Sequence, residues 1–200
     1  AGAAAGLVAN GFVDIDLVAP RSKMIHLRMA DGSEDVALVD AVTLVNDFVG
    51  NRMPVDPRNL RQLLVSVARP DTIGVSSIAG LHATCDVGED AAILVRCGDG
   101  GQWTNSPIAP GLYRNVPVLE VTRVGLGEEI DLVGPTTLAF DGDREHQIFA
   151  EEPVVAVVRR DGPRVVDVRA ALSAGASQGI FFSDSLAVPS LGDSSEGDGV

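Results

Sequence analysis

The residues best suited to chemistry are an Asp-Gly pair, Asp141 and Gly142, between two runs of strand-forming residues. Thr136–Phe140 precedes the pair, and Gln147–Ala150 follows it. Such a pair is a strong hairpin signal, because the turn needs positive φ angles that glycine adopts without steric penalty. The pattern predicts a hairpin. It leaves open a second role, in which a carboxylate and a bare backbone at a strand end bind a polar ligand.

A second stretch, Ile73–Gly80, combines the hydroxyls of Ser76 and Ser77 with the small residues Ala79 and Gly80. The pattern is typical of a strand that runs into a small-residue turn. Such a turn leaves backbone N–H groups accessible and lets a ligand approach closely. Simple close packing against another segment explains the small residues equally well. Both interpretations stay open at this point.

A third stretch, Ser106–Gly111, has Pro107 and Pro110 on either side of two other residues. The two prolines restrict the backbone and stiffen the loop. The usual role of such a loop is structural. Next to the two glycine-containing turns, it would also form a suitable ligand wall.

Asp40 interrupts an otherwise apolar run, Val36–Val45, which predicts a strand buried on both faces. An unpaired carboxylate is unfavourable in such a strand. Asp40 is therefore expected to lie at a strand end, to have a partner, or to contact a ligand.

Other chemical patterns are incomplete. The three histidines, His26, His82 and His146, lack metal-ligand spacing, and only His146 is near Asp141 in sequence as a proton partner. Cys97–Gly101 (CGDGG) lacks the Lys-Ser/Thr ending of a phosphate-binding loop, so it predicts a hairpin turn. The sequence thus indicates neither a metal site nor a catalytic triad.

Composition limits the partners of the chain. The net charge of −13 argues against binding to nucleic acids or anionic membranes, where a basic patch is expected. No apolar run reaches the ~18 residues of a membrane-spanning helix. Two cysteines, Cys85 and Cys97, do not make a disulfide framework, which indicates a reducing, cytoplasmic location.

The chain divides into three parts by composition. Residues 1–11 predict the end of a helix that starts upstream, and the absence of an initial Met suggests a fragment or a processed product. Residues 12–172 predict a β-rich substrate-binding domain. Residues 173–200 are rich in Ser, Gly and Asp and predict an acidic flexible tail.

Regularly spaced short strands dominate the middle of the chain. One clear helix is predicted from Asp56 and Pro57 to Val67, because leucines recur at helical spacing. Strands are predicted at Phe12–Val18, Lys23–Met29, Val36–Val45, Thr72–Ser77, Ala91–Arg96, Gln102–Thr104, Val116–Val124, Glu129–Val133, Thr136–Phe140, Val154–Arg159 and Arg164–Val168. The expected fold class is mainly β, a β-sandwich-like domain of many short strands with one or two helices.

Four of these stretches, in this order, resemble the carboxyl-terminal domain of the NAD kinase family, and more closely its AcoX-type branch. Val75–Gly80 is similar to the family's Ser-Thr-Pro-Thr-Gly-Ser segment, and Ser106–Pro110 to its Thr-Pro-Ile-Cys-Pro loop. Phe140–Gly142 matches its Phe-Asp-Gly turn, and Ala37–Val42 lies where the family has Asn-Glu at a strand end.

The resemblance implies transfer of a phosphoryl group from ATP, with Mg²⁺, to a hydroxyl of NAD or a related small molecule. This chain would supply the acceptor-binding half, and the ATP-binding loop with the catalytic Asp would lie in an upstream domain. The resemblance also implies a homo-oligomer. The substrate-binding residues that it indicates are Asp40, Ser76, Ser77, Gly80, Pro110, Asp141 and Gly142. Their turns are expected to converge on one acid-lined hollow.

Two departures from the family pattern favour an alternative function. Val39 stands where the family has Asn, and Leu81–Thr84 replaces the Ser-Thr-Tyr run that holds the dinucleotide. The alternative is a non-catalytic module of the same fold that senses small molecules or nucleotides, or serves in assembly.

Overall fold

A computed structural model describes residues 1–45 and 56–182 of the chain. These residues form two compact units, one comprising residues 1–20 together with those from 164 onward and the other comprising residues 21–163. The helices are α1 (Gly2–Ala9), α2 (Ile15–Val18), α3 (Ser76–Gly80) and α4 (Val168–Ser177). In the described part of the chain, no helix is both long and apolar enough to cross a lipid bilayer.

The first unit is helical. Leu7 of α1 and Ala171 of α4 belong to its small core, together with Val18. Each helix after α1 in this unit starts at an aspartate that accepts a backbone hydrogen bond, Asp14 from Asp16 and Asp167 from Ala170, both at 2.9 Å.

Two strand predictions in the first unit are therefore wrong. Phe12–Val18 contains turns and α2, and Arg164–Val168 leads into α4. Most apolar residues of both stretches are exposed, including Leu17 and Val165, and aspartates that alternate with them cap the helices, so the alternation did not reflect a half-buried strand. Residues 173–177, expected in the tail, lie in α4, while residues 183–200 lie outside the described part of the chain.

The second unit is a stack of two antiparallel sheets. Its strands are β1 (Met24–Arg28), β2 (Glu34–Ala37), β3 (Asp40–Leu44), β4 (Leu60–Val65), β5 (Ala91–Ala109), β6 (Leu112–Gly125), β7 (Glu129–Leu132), β8 (Thr136–Phe140), β9 (Arg144–Ile148) and β10 (Val154–Arg159). One sheet has the order β2-β1-β10-β7, and the other has the order β6-β5-β4-β3-β8-β9. The predicted fold class, a mainly β, sandwich-like domain with few helices, is confirmed.

Apolar side chains from both sheets fill the space between them. Ile25 and Val158 of the four-stranded sheet belong to the same buried cluster as Leu64 and Leu138 of the six-stranded sheet. The opposite face of the six-stranded sheet forms a second cluster, which includes Ile78 of α3. The central strands β3, β4 and β8 are thus buried on both faces, whereas the outer strands β6 and β9 carry exposed polar residues.

This double burial explains why the predicted helix at Asp56–Val67 is wrong. Asp56 caps only one turn of 3₁₀ helix, Pro57–Asn59, by accepting a hydrogen bond from the backbone of Arg58 at 3.0 Å. The chain then continues as β4, in which Leu60, Leu63 and Leu64 are all buried. Leucines on both faces of a strand reproduced the spacing of a helical stripe.

Two further strand predictions fail because the chain bends. Val36–Val45 is not one strand, because β2 and β3 belong to different sheets and Leu38 and Val39 lie between them. Thr72–Val75 is a loop, and Ser76 and Ser77 begin α3. Both bends lie beside the cavity described below.

The Cys97–Gly101 segment is not a hairpin turn. Cys97 and Gln102 both pair with Val118, so the glycine-rich residues between them bulge out of a single long strand, β5. A Cβ on Gly101 would lie 2.7 Å from the backbone of Val118, which is why this position needs glycine. The hairpin turns instead at Pro110 and Gly111, between β5 and β6.

Lys23, the only lysine of the chain, is buried at the start of β1. Its Nζ donates hydrogen bonds to the backbone oxygens of Asp86 and Ala91 at 2.9 and 2.7 Å, and to Cys85 Sγ at 3.3 Å. The ammonium group therefore fastens the Cys85–Ala91 segment to β1. Cys85 and Cys97 are both free thiols.

Candidate functional site

A cavity of about 230 Å³ opens where β3 begins and β8 ends. Four of the residues predicted from sequence line it, namely Asp40, Ser76, Asp141 and Gly142. Most of the remaining wall is apolar and comes from Val39, Val42, Ile73, Gly74, Val75 and Ala139.

The predicted Asp-Gly hairpin is present and forms one rim of the cavity. Asp141 and Gly142 have φ angles of +54° and +75°. Asp141 is the only residue other than glycine with a positive φ in the described part of the chain. A left-handed conformation costs an ordinary residue ~1–2 kcal/mol. Hydrogen bonds made by the Asp141 side chain offset this strain.

The Asp141 carboxylate binds the backbone of the bend between β2 and β3. It accepts hydrogen bonds from the backbone N–H groups of Leu38 at 2.9 Å and Val39 at 2.8 Å. Two adjacent backbone donors directed at one carboxylate form a small anion-binding nest. The nest is occupied by a residue of the protein itself, so Asp141 is held in place for a structural purpose as well as lining the cavity.

Arg144 reinforces the same contact. Its Nη2 donates hydrogen bonds to the carboxylate of Asp141 at 3.0 Å and to the backbone oxygen of Val36 at 2.8 Å. Its Nη1 donates to Asp35 at 2.6 Å, and its guanidinium lies over the ring of Phe140 at 4.6 Å from the centroid. The side chain thus joins the β8–β9 hairpin to β2.

Ser66 holds the bend from the opposite side. Its hydroxyl donates to the backbone oxygen of Leu38 at 2.8 Å, and its backbone N–H donates to that of Val39 at 3.0 Å. The backbone N–H groups of the bend are therefore bound by Asp141, just after β8, and its backbone oxygens by Ser66, just after β4. The position of the next residue, Asp40, is fixed as a result.

Asp40 provides the free acid of the cavity. No hydrogen bond to its carboxylate is made within residues 1–45 and 56–182. Burial, and secondarily the negative charge of Asp141, raise the pKa of the Asp40 carboxyl from 3.8 to about 6. A carboxyl with this pKa is mostly ionised at neutral pH and can still exchange a proton readily.

The short helix α3 places Ser76 in the cavity wall. Gly74 donates its backbone N–H to the oxygen of Pro107 at 3.0 Å, and the hydroxyl of Ser77 donates to Gly74 O at 2.7 Å. The Ser76 hydroxyl has no hydrogen-bond partner among the described residues, so it remains available to a ligand.

Three predicted site residues do not line the cavity. Ser77 is buried and bonded beneath it, and Pro110 is exposed at the tip of the β5–β6 hairpin. Gly80 packs so closely that a Cβ would overlap the backbone oxygen of Arg69. Close packing is thus the role of Gly80 that the structure shows. The Ser106–Gly111 loop contributes indirectly, through the contacts of Pro107 with the segment before α3.

Sequence reasoning missed several residues of the site. Arg144 carries a visible signal, because it follows Asp141 by three positions in the same hairpin and can fold back on it. Val39, Gly74 and Ala139 carry none, because small and apolar residues are common throughout the chain. His146, considered as a proton partner of Asp141, lines a different cavity together with Asp31.

The cavity suits a neutral or cationic group with hydroxyls or amines. Asp40 can accept a hydrogen bond or a proton, and Ser76 can donate a hydrogen bond. Among the described residues that line the wall there is no lysine or arginine to balance an anion. Within the described residues there is no group of three side chains that could hold a metal ion. The two carboxylates of the wall disfavour a phosphate group in this cavity.

Comparison with known proteins gives one family. The family described as "Acetoin catabolism protein X C-terminal domain" matches residues 23–161. A curated relative from Cupriavidus necator, named "Acetoin catabolism protein X", is 31% identical over 179 residues, which make up 86% of this chain and 50% of the relative. The chain thus spans about half the length of the curated relative that it matches.

Proposed function

The chain belongs to the acetoin catabolism protein X family, and from this membership we propose that it binds the acceptor in an NAD kinase-like phosphotransferase. In this proposal a hydroxyl of NAD, or of a related small molecule, occupies the cavity beside Asp40. The observation that carries the proposal is the Asp40 carboxylate, which is confined in the cavity without a hydrogen-bond partner in the described part of the chain.

Asp40 and Ser76 would both bind the acceptor, each through a different hydrogen bond. The carboxylate of Asp40 accepts the hydroxyl hydrogen and can hold the proton that the acceptor loses, because its pKa of about 6 is close to neutrality. Ser76 donates to a neighbouring oxygen of the acceptor. Asp141 acts as a positioning residue, because its carboxylate is already bound to the backbone and to Arg144.

The size of the cavity limits what enters it. Ligand pockets for whole small molecules are usually ~300–1,000 Å³. A volume of about 230 Å³ accommodates one ring-sized part of a dinucleotide, such as a ribose. The pyrophosphate would lie outside, away from the two carboxylates.

ATP and Mg²⁺ are implied by the NAD kinase resemblance as the donor and its metal. Their binding residues belong to another part of the protein in this proposal, because the described residues supply neither a metal-ligand group nor a phosphate cradle at the cavity. The group transferred would be a phosphoryl. This chain contributes acceptor binding, orientation and proton acceptance.

Isothermal titration of the full-length protein with NAD, and separately with ATP, tests the proposal. We expect saturable heat with NAD, and affinity at least tenfold lower for Asp40→Asn. Asp143→Asn is the matched control, since Asp143 lies in the same hairpin but does not line the cavity. Absence of heat with both nucleotides would contradict the proposal.

The second candidate is a non-catalytic sensing or assembly module of the same fold. Val39 favours it, because this residue lines the cavity and is 51% exposed, where the NAD kinase pattern has a polar Asn. A module of this kind binds ligand without consuming ATP. Measuring ATP turnover at saturating NAD separates the two candidates: binding with no turnover supports the module.

A further inference from the structure

A second cavity lies at the far ends of the strands that build the first one. Its volume is about 400 Å³. Asp40 begins β3 at the first cavity, whereas Val45, just past its end, lines the second. Likewise Thr136 begins β8 at the second cavity, and Asp141 follows its end at the first. Five strand residues separate the two cavities, which corresponds to ~16 Å. We call the second one the distal cavity.

The polar groups of the distal cavity are mainly cationic. Arg61 and Arg96 line it, and none of the described residues that line it is a carboxylate. This is a local reversal of charge in a chain with a net charge of −13. An anion in the distal cavity would be attracted by two guanidinium groups, although the chain as a whole is negatively charged.

Both guanidinium groups have N–H donors that could bind a ligand. Arg61 uses its Nη1 to bind the backbone oxygens of Arg58 and Leu60 at 2.6 and 2.9 Å, which holds the group in place. Its Nε and Nη2 have no acceptor among the described residues. Arg96 is 3.5 Å from Glu120, with about half of each side chain exposed, so this ion pair is weak and easily exchanged.

The rest of the wall is mainly apolar, with Gln62 and Thr136 as its other polar side chains. Leu119, Val133 and Pro135 contribute hydrocarbon surface. Gln62 fastens the base, because its amide donates to the backbone oxygen of Asp131 and accepts from the N–H of Val133, both at 2.9 Å. An apolar wall next to two cationic donors suits a ligand that has both an apolar part and an anionic group.

Cys97 also belongs to the apolar part of the wall. Burial raises the pKa of its thiol to about 11, against the opposing effect of the Arg61 charge. The thiol is therefore neutral at physiological pH. Because Cys97 lines the distal cavity, its rate of alkylation can report whether the cavity is occupied.

We infer that the distal cavity binds a small aliphatic carboxylate, whose carboxylate group is held by Arg61 and Arg96 and whose short chain lies against Leu119, Val133 and Pro135. Guanidinium groups bind carboxylates through paired hydrogen bonds. The apolar wall excludes inorganic phosphate as the best ligand, because that ion would leave the hydrocarbon surface uncovered. The site is independent of the acceptor cavity and of the proposed function.

Titration of the full-length protein with butyrate, inorganic phosphate and butylammonium at equal ionic strength tests the inference. We expect saturable binding of butyrate, weaker binding of phosphate, and none of butylammonium. Arg61→Gln and Arg96→Gln should each weaken butyrate binding at least tenfold. Arg28→Gln is the matched control, because Arg28 pairs with Glu129 away from this cavity and loses the same charge.

Two results locate the site. Saturating butyrate should slow alkylation of Cys97, measured by peptide mass spectrometry, and Asp40→Asn should leave butyrate binding unchanged. Circular dichroism shows whether each variant is folded. If Arg61→Gln does not fold, Arg96→Gln alone tests the arginine contacts. No butyrate binding, binding that both arginine variants retain, phosphate binding as tight as butyrate, or unprotected Cys97 would each overturn the inference.

Discussion

The carboxylate of Asp141 accepts a hydrogen bond from the backbone N–H of Val39 at 2.8 Å, across 102 positions of the chain. This bond joins the β8–β9 hairpin to the bend between the two sheets. Because Asp40 follows Val39 directly, the geometry of the free carboxylate in the cavity depends on a second carboxylate that is fully engaged. The two acids thus have different tasks, one structural and one available to a ligand.

Asp141→Asn should destabilise the protein by about 1–3 kcal/mol, because an amide can no longer accept from two backbone N–H groups and bind Arg144 at once. The free energy of unfolding in urea measures this effect. Asp143→Asn, in the same turn but with its side chain 72% exposed, should change it by less than about 0.5 kcal/mol. Equal effects of the two substitutions would show that the Asp141 contacts contribute little.

The pKa of Asp40 predicts a pH-dependent gain from Asp40→Asn. The folded-state pKa of about 6 is above the ordinary 3.8, so folding favours the protonated form. The stability associated with that neutral form is complete below pH ~4 and is lost as the pH rises through ~6. The difference between the two pKa values corresponds to about 3 kcal/mol at most.

Urea unfolding of the wild type and Asp40→Asn at several pH values measures the gain. The two proteins should have similar stability near pH 4, and the variant should be more stable by about 2–3 kcal/mol at pH 7.5. The same variant is expected to lose acceptor binding, so gain of stability and loss of binding occur together. If the stability difference between Asp40→Asn and the wild type is no larger at pH 7.5 than at pH 4, the Asp40 charge is not buried.

Gly80→Ala should lower the free energy of unfolding by at least about 2 kcal/mol, because the new methyl group would overlap the backbone of Arg69, which cannot move as a side chain can. Gly88→Ala provides the comparison, since nothing lies within 4 Å of the added Cβ and its φ is not positive. Thermal or urea denaturation distinguishes the two. If Gly80→Ala is as mild as Gly88→Ala, the close approach is absent in solution.

Lys23→Met should destabilise the protein by about 1–3 kcal/mol, because it removes the ammonium donor from the partly buried backbone oxygen of Asp86 and leaves the buried oxygen of Ala91 with only the weak thiol donor of Cys85. Arg21→Met is the control, because Arg21 is two residues earlier and exposed. It should change the free energy of unfolding by no more than about 0.5 kcal/mol. Urea unfolding monitors both. A neutral effect of Lys23→Met would indicate that water reaches the two oxygens.

The hairpin and the fold class could be predicted from sequence because their determinants are local. Asp141 and Gly142 specify their own turn, and alternating or continuous apolar runs specify a sheet protein. The helix predicted over Leu60–Val67 was wrong for a non-local reason. Its leucines face two different apolar clusters, and only the position of β4 inside the six-stranded sheet reveals this.

The site was only partly predictable. Asp40, Ser76, Asp141 and Gly142 carry polar or turn-forming signals, and all four line the same cavity. Gly80 carries an equally strong signal for a different physical reason, the approach of Arg69. The distal cavity has no sequence motif, because Arg61 and Arg96 are far apart in sequence and belong to neighbouring strands, β4 and β5, which the pairing of Gln62 with Arg96 brings together.

The burial of Lys23 has a consequence for amine chemistry. The chain has 14 arginines and this single lysine, so the folded surface of the described residues presents no lysine side chain to acylating reagents. Lysine acetylation or coupling to an activated ester would require β1 to separate from the Cys85–Ala91 segment. The rate of acylation at Lys23 therefore reports how often the Cys85–Ala91 segment separates from β1.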